Sequence, residues 1–164
     1  MRTGIALGSN LGDRLKNLQE AAGRLKTLSS GPFLVSQAYE TVPVNCPPDS
    51  PLFLNAAAEI EFEGDILDLL TQLQEFEQEN GRPANRPKNA PRSIDLDILY
   101  CDNKTLSSAR LVLPHPEMAN RLFVLKPLLE ICPNRVLPHQ SLSIRELAEK
   151  LDSENNTFKT YNLL

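Results

Sequence analysis

The segment Leu54-Asn55-Ala56-Ala57-Ala58-Glu59-Ile60-Glu61-Phe62 alternates with a period of two. A strand places Leu54, Ala56, Ala58, Ile60 and Phe62 on one face and Asn55, Ala57, Glu59 and Glu61 on the other. The chain must therefore build a half-buried sheet whose apolar face needs a cover. Two helical segments supply it. Leu15, Leu18, Ala22, Leu25 and Leu28 recur at helical spacing over 14–28, behind Asp13 as a helix N-cap. Ile66, Leu69, Leu70, Leu73 and Phe76 form a second stripe that starts at Gly64-Asp65, runs to about Asn80 and ends at Gly81.

Three further strands complete the pattern. Residues 2–7 read as the first, 33–41 as the second after the Gly31-Pro32 break, and 91–100 as the last. The order strand-helix-strand-strand-helix-strand is a ferredoxin-like β-α-β-β-α-β core. It predicts an α+β fold with an antiparallel sheet and two helices on one face. Beyond it the chain offers a short extra strand, a Pro-His-Pro turn and short helices near 121–129 and 144–151. These C-terminal elements are expected to extend the sheet or cover its second face. Two long irregular loops interrupt the core, at 42–51 with four prolines and at 82–90 with Arg82, Arg86 and Lys88. Loops of this length inside a compact domain are often functional. With no repeat, low-complexity tract or linker, residues 1–164 are expected to form a single domain.

Composition narrows the partners. A net charge of −4 argues against a general nucleic-acid binder, which needs a basic footprint. No apolar run approaches the ~20 residues of a membrane span, and no leader peptide is evident. Cys46, Cys101 and Cys132 are odd in number, scattered, and form no C-x-x-C. That disfavours zinc or a disulfide framework and fits the reducing cytoplasm.

The chemistry concentrates in Pro91-Arg92-Ser93-Ile94-Asp95-Leu96-Asp97-Ile98. On a strand Asp95 and Asp97 share a face, with Cα atoms roughly 6.5–7 Å apart, while Ile94, Leu96 and Ile98 face a core. Side-by-side carboxylates repel, and a bound divalent cation relieves the repulsion. Oxygen-only ligands on one strand suit Mg²⁺, which takes one or two carboxylates plus phosphates and water. Arg92 supplies a planar fork for phosphate oxygens. Alone, an Asp-x-Asp strand is more often a solvated acidic edge, and single arginines are more often surface charges. Glycine-rich phosphate loops are absent from the sequence. Any nucleotide must then be held by side chains such as Arg82, Arg86, Lys88, Arg92, Arg110 and Arg121. Gly8-Ser9-Asn10-Leu11-Gly12 is either a loop that closes on a ligand or a tight turn. His115, between two prolines, is either a phosphate donor or a structural histidine. Asn55 carries donors and an acceptor for a heterocycle edge, and Phe53 and Phe123 could stack on a flat ring or be plain core.

Read together, Gly8-Ser9-Asn10-Leu11-Gly12-Asp13-Arg14, Phe53-Leu54-Asn55-Ala56, Gly81-Arg82, Ala90 to Leu99, and Leu113 to Met118 with Arg121 to Leu125 closely resemble the 6-hydroxymethyl-7,8-dihydropterin pyrophosphokinases of folate synthesis, from residue 4 to about 135. The resemblance implies transfer of pyrophosphate from ATP to a pterin hydroxymethyl group with release of AMP, ATP binding first. It implies that Asp95 and Asp97 hold two Mg²⁺ ions and that Arg82 and Arg92 hold the phosphates. His115 and Arg121 match further ATP contacts, and Gln74, Glu77, Ile98, Arg110 and Leu111 match the adenosine pocket. Val42, Pro43, Asn45, Phe53, Asn55, Asp95 and Phe123 match the pterin site. Loops 8–14, 43–53 and 82–92 match three that close over the substrates. Asn89 stands where many members carry an aromatic residue, and Ala84 where many carry a second basic one. The expected partners are ATP and the pterin, with no nucleic acid and no membrane, and the expected state is a monomer. Two other classes share parts of the pattern. A ligand-sensing module on the same fold binds ATP without consuming it, and a two-metal nucleotidyl transferase shows steeply salt-dependent DNA binding.

Overall fold

The computed structural model describes residues 1–44, 48–81, 90–152, 154 and 156–164. In chain order the elements are β1 (Arg2–Ser9), α1 (Arg14–Leu28), β2 (Leu34–Val35), β3 (Ala38–Thr41), β4 (Phe53–Glu61), α2 (Ile66–Glu79), β5 (Asp95–Cys101), β6 (Leu106–Ser107), β7 (Val112–Leu113), α3 (Leu122–Ile131), α4 (Ile144–Leu151) and β8 (Thr160–Tyr161). The main sheet runs β5-β1-β4-β3-β8, with β2 also pairing β4, and every pairing is antiparallel. The ferredoxin-like core is present. The C-terminal segment acts in both expected ways, since β8 adds an edge strand while α3 and α4 cover the second face.

The two helices of the core start where their caps dictate. Asp13 accepts from the Lys16 amide at 3.1 Å, and Asp65 accepts from the Leu67 amide at 2.7 Å. Leu18, Ala21, Ala22 and Leu25 of α1 and Leu69, Leu70 and Leu73 of α2 bury against Ile5, Leu7, Leu54, Ala56, Ala58, Ile60, Leu96 and Ile98 of the sheet. The opposite layer packs Val124, Leu125 and Leu128 of α3 and Ile144, Leu147 and Ala148 of α4 on Ala57, Leu99 and Tyr100. Ser143 and Glu146 form a reciprocal capping box that starts α4.

Three expectations change on contact with the structure. The strand expected over 33–41 is two pieces, because the register against β4 shifts by one residue between Val35↔Ala58 and Tyr39↔Asn55. At the break Ser36 Oγ accepts the Ala57 amide at 2.9 Å and Glu130 accepts the Gln37 amide at 3.0 Å, so the bulged backbone keeps its partners. The alternating strand, expected to be half-buried, has eight of its nine residues buried because helices cover both faces. Its polar residues survive burial through partners. Glu59 accepts from the Tyr100 hydroxyl at 2.7 Å and from Arg135 at 2.9 Å. The last core strand begins at Asp95 rather than Pro91. Among the described residues, no helix is long and apolar enough to cross a membrane.

A bulge in β5 aims both Leu99 and Tyr100 at the α3–α4 layer, since Ile5 pairs Ile98 while Gly4 pairs Tyr100. The phenol ring then lies directly over Gly4, where an added Cβ would stand 2.2 Å from a ring carbon. Gly4→Ala should therefore force the buried Tyr100 and its Glu59 bond to move, at about 1–3 kcal/mol. Thermal and urea unfolding should show a Tm lowered by roughly 5 °C; an unchanged Tm would mean that the ring shifts freely.

Candidate active site

The cavity that matters opens on the second face of the sheet, beyond the N-terminal end of α3. Its volume is about 250 Å³. β1 provides Ala6, Leu7 and Gly8 as a floor, and β5 adds Asp95, Asp97 and Leu99. Thr41, Val42 and Val44 form one rim, Phe53 and Asn55 one wall, and His115, Arg121 and Phe123 the other. Arg92 closes the side from which β5 begins. Small floor residues leave the space. A Cβ on Gly8 would come within 3.3 Å of Asn55 Oδ1 and 3.9 Å of both the Asp95 Cβ and the Phe53 ring.

Each polar side chain has a defined support. The Arg92 guanidinium pairs with Asp95 at 2.7 Å and lies 5.6 Å from the Phe53 ring centre. Its Nε is buried without a hydrogen-bond partner among the described residues. Asn55 donates to the Thr41 hydroxyl at 2.7 Å, and both are buried. His115 is pinned by its own amide, which donates to Leu99 O at 2.8 Å, and its Nδ1 accepts the Glu117 amide at 3.2 Å. With Nδ1 accepting, the neutral ring carries its proton on Nε2, which makes that nitrogen a donor. Arg121 precedes the first turn of α3 and lies 5.8 Å from the Phe123 ring centre.

The cavity thus has two chemically different parts. Phe53, Asn55, Thr41 and Phe123 suit a flat ring with a mixed hydrogen-bonding edge. Arg92, Arg121 and His115 beside Asp95 and Asp97 suit a polyanion and a hard cation. Among the described residues no cluster of three or more His, Cys, Asp or Glu could cage a metal. Two carboxylates alone fit Mg²⁺, which retains water and takes its remaining ligands from phosphate.

Of the residues singled out from sequence, Val42, Phe53, Asn55, Arg92, Asp95, Asp97, His115, Arg121 and Phe123 line this one cavity. Pro43 lies beside it but outside the lining. Arg82 and Asn45 lie outside the described residues, as do Ala84, Arg86, Lys88 and Asn89. The remaining five lie outside this cavity. Arg110 donates to Thr71 of α2 at 3.0 Å. Gln74 is exposed on α2, and Leu111 is half-buried at the core margin. Glu77 is buried and accepts the Leu96 amide at 2.7 Å, while Ile98 is 2% exposed in the core. Sequence reasoning missed Thr41 and Val44. Thr41 gave no signal because its value is a contact with Asn55, fourteen residues on.

Residues 4–133 match the family model described as 7,8-dihydro-6-hydroxymethylpterin-pyrophosphokinase (HPPK). The chain is 40% identical over 147 residues to the 2-amino-4-hydroxy-6-hydroxymethyldihydropteridine pyrophosphokinase of Haemophilus influenzae, covering 89% of this chain and 90% of that protein. It is 43% identical over 129 residues to the Bacillus subtilis protein of the same name, covering 78% of this chain and 76% of that one. It is also 39% identical to the folic acid synthesis protein fol1 of Pneumocystis carinii, where it matches 90% of this chain but only 20% of the longer protein. In structure it is similar to the Plasmodium falciparum HPPK-DHPS, with a TM-score of 0.71 at 15% identity over 93% of this chain and 42% of that chain. That likeness concerns the fold. With the family match spanning most of its length, the chain belongs to the 7,8-dihydro-6-hydroxymethylpterin-pyrophosphokinase family.

Proposed function

We propose that this chain transfers the β,γ-diphosphoryl group of ATP to the hydroxymethyl oxygen of 6-hydroxymethyl-7,8-dihydropterin, in a magnesium-dependent reaction that releases AMP. One observation carries the reading: a ring-sized pocket of Phe53, Asn55 and Phe123 shares a cavity with Arg92, Arg121, His115, Asp95 and Asp97. Family membership supplies the substrates. The pterin hydroxyl attacks the β-phosphorus, the bond from that phosphorus to the α,β-bridging oxygen breaks, AMP leaves, and the hydroxyl proton passes to solvent.

The protein's part is positioning and charge. Phe53 and Phe123 stack on the pterin, and Asn55, fixed by Thr41, reads its edge. Arg92 exchanges part of its pairing with Asp95 for phosphate oxygens, which also gives its unpartnered Nε a use. Arg121 and the Nε2 donor of His115 hold further phosphate oxygens, and on family membership we assign Arg82 to the same group. Asp95, once shared with Arg92, and Asp97 hold the cation. Mg²⁺, when bound there, neutralises charge on the diphosphoryl group and orients it for in-line transfer. We assign two ions to the site. The 250 Å³ cavity suits the pterin but not the whole nucleotide. The adenosine belongs outside it, on the side of Gln74, Arg110 and Leu111. Glu77 and Ile98 act there through the strand that they hold. We read residues 1–164 as one catalytic domain, active as a monomer in the cytoplasm.

Product analysis by phosphorus NMR tests the reaction. ATP, Mg²⁺ and the pterin should give AMP and a pterin diphosphate in equal amounts; ADP as the product would overturn the reading. Chelation with EDTA should abolish turnover and added Mg²⁺ restore it, while turnover that persists in EDTA would remove the metal from the scheme. Asp97→Asn should lower kcat by roughly 100-fold or more. Its exposed side chain predicts a Tm within about 2 °C of the parent. Near-normal kcat would show that Asp97 holds no metal.

A further inference from the structure

The path of residues 90–94 decides where Arg92 and Asp95 meet, and the sheet does not set it. β1 pairing stops at Gly8↔Asp95. Upstream of that point the backbone is held by side chains and by one backbone bond from Asn10. Asn10, 2% exposed, accepts the Arg92 amide at 2.8 Å through its Oδ1, and its own amide donates to Arg92 O at 3.1 Å. Ser93 Oγ donates to Asn80 O at the end of α2. Asn17 then joins three segments. Its Nδ2 donates to Ser93 O and Leu11 O, both at 3.0 Å, and contacts Ser9 Oγ at 3.3 Å. An amide nitrogen carries two protons, so the two carbonyls are its partners and Ser9 shares the longer contact.

Asn17 lies inside α1, with its backbone amide bonded to Asp13 O at 2.9 Å. Asparagine is a poor residue for a helix interior, because its side chain competes for backbone groups. Here that tendency is used. The carboxamide lies across the gap between α1 and the approach to β5 and ties Ser93 O to Leu11 O. Ser93 adjoins Arg92, so a rotation of its peptide would displace the approach of Arg92 to the cavity, while Asp95 stays in the sheet. Asn17 itself does not line that cavity.

We propose that Asn17 is a positioning residue for phosphoryl transfer, acting through the Ser93 carbonyl to hold Arg92 against the substrate phosphates. The proposal rests on the phosphate-binding role given to Arg92. Misplacement of a reacting group by about 1 Å costs about 100-fold in rate, so the loss should fall on kcat. The pterin pocket, built on Phe53, Asn55 and Phe123, should be spared.

The test is a double-mutant cycle between Asn17→Ala and Arg92→Ala in the full chain, with kcat, both KM values and Tm measured. Asn17→Ala should lower kcat by at least about tenfold and leave the pterin KM within about twofold. In the Arg92→Ala background the same change should alter kcat by less than about twofold, because the group it positions is gone. A full additive loss in that background, or an unchanged kcat for Asn17→Ala while Arg92→Ala is impaired, overturns the proposal. An unimpaired Arg92→Ala instead overturns the role of Arg92 and with it the premise. If Asn17→Ala does not fold, Asn17→Gln and Asn17→Asp decide the matter. Gln keeps the donor and should retain more kcat than the isosteric Asp, which has none; the reverse order overturns the proposal.

Discussion

The site depends on the register of β1 against β5. Asp95 stands opposite Gly8 and Asp97 opposite Ala6. The two carboxylates therefore rise from the sheet beside the two smallest available neighbours, and the cavity is the volume those neighbours leave empty. A slip of one residue would turn Asp95 and Asp97 into the α1–α2 core and bring Leu96 and Ile98 out. The core prevents this, since Ile94, Leu96 and Ile98 are each no more than 5% exposed. The same apolar residues that stabilise the sheet thus aim the acidic ones.

Away from the cavity, the second face combines the apolar α3–α4 layer with a polar network around Glu59. Glu59 receives Tyr100 and Arg135, and Arg135 lies 4.3 Å from the Tyr100 ring centre. Burial pushes the Tyr100 phenol and the Cys132 thiol up from their ordinary ranges, so both stay protonated at neutral pH. The phenol is then a constant donor to Glu59. The end near Gly8 is small-floored and open.

Local signals were readable where local physics decides. The helices over 14–28 and 66–79, with Asp13 and Asp65 as caps, follow from a 3.6-residue period and side-chain capping. Both are satisfied within a few residues. The Asp-x-Asp pair was legible because a strand's period of two puts alternate residues on one side whatever they pack against. The break at Ser36–Gln37 was not legible, since it depends on Glu130 and Ala57, which are remote in sequence. Nor was the burial of Asn55 and Glu59. Polar residues at alternate positions look solvent-facing until a second layer with matching partners covers them.

The sequence by itself determined the order of elements, the apolar face of each, and the presence of residue types chemically suited to a ring, phosphate and a hard cation. Those follow from periodicity and side-chain chemistry. Only the tertiary structure decided which of them share one cavity. It brought Thr41 to Asn55, Arg92 to Asp95 and Asn17 to Ser93, and it set Gln74, Arg110 and Leu111 outside that cavity. These are contacts between residues distant along the chain. They form only when the strand register and the helix layers on both faces fix the separations between them.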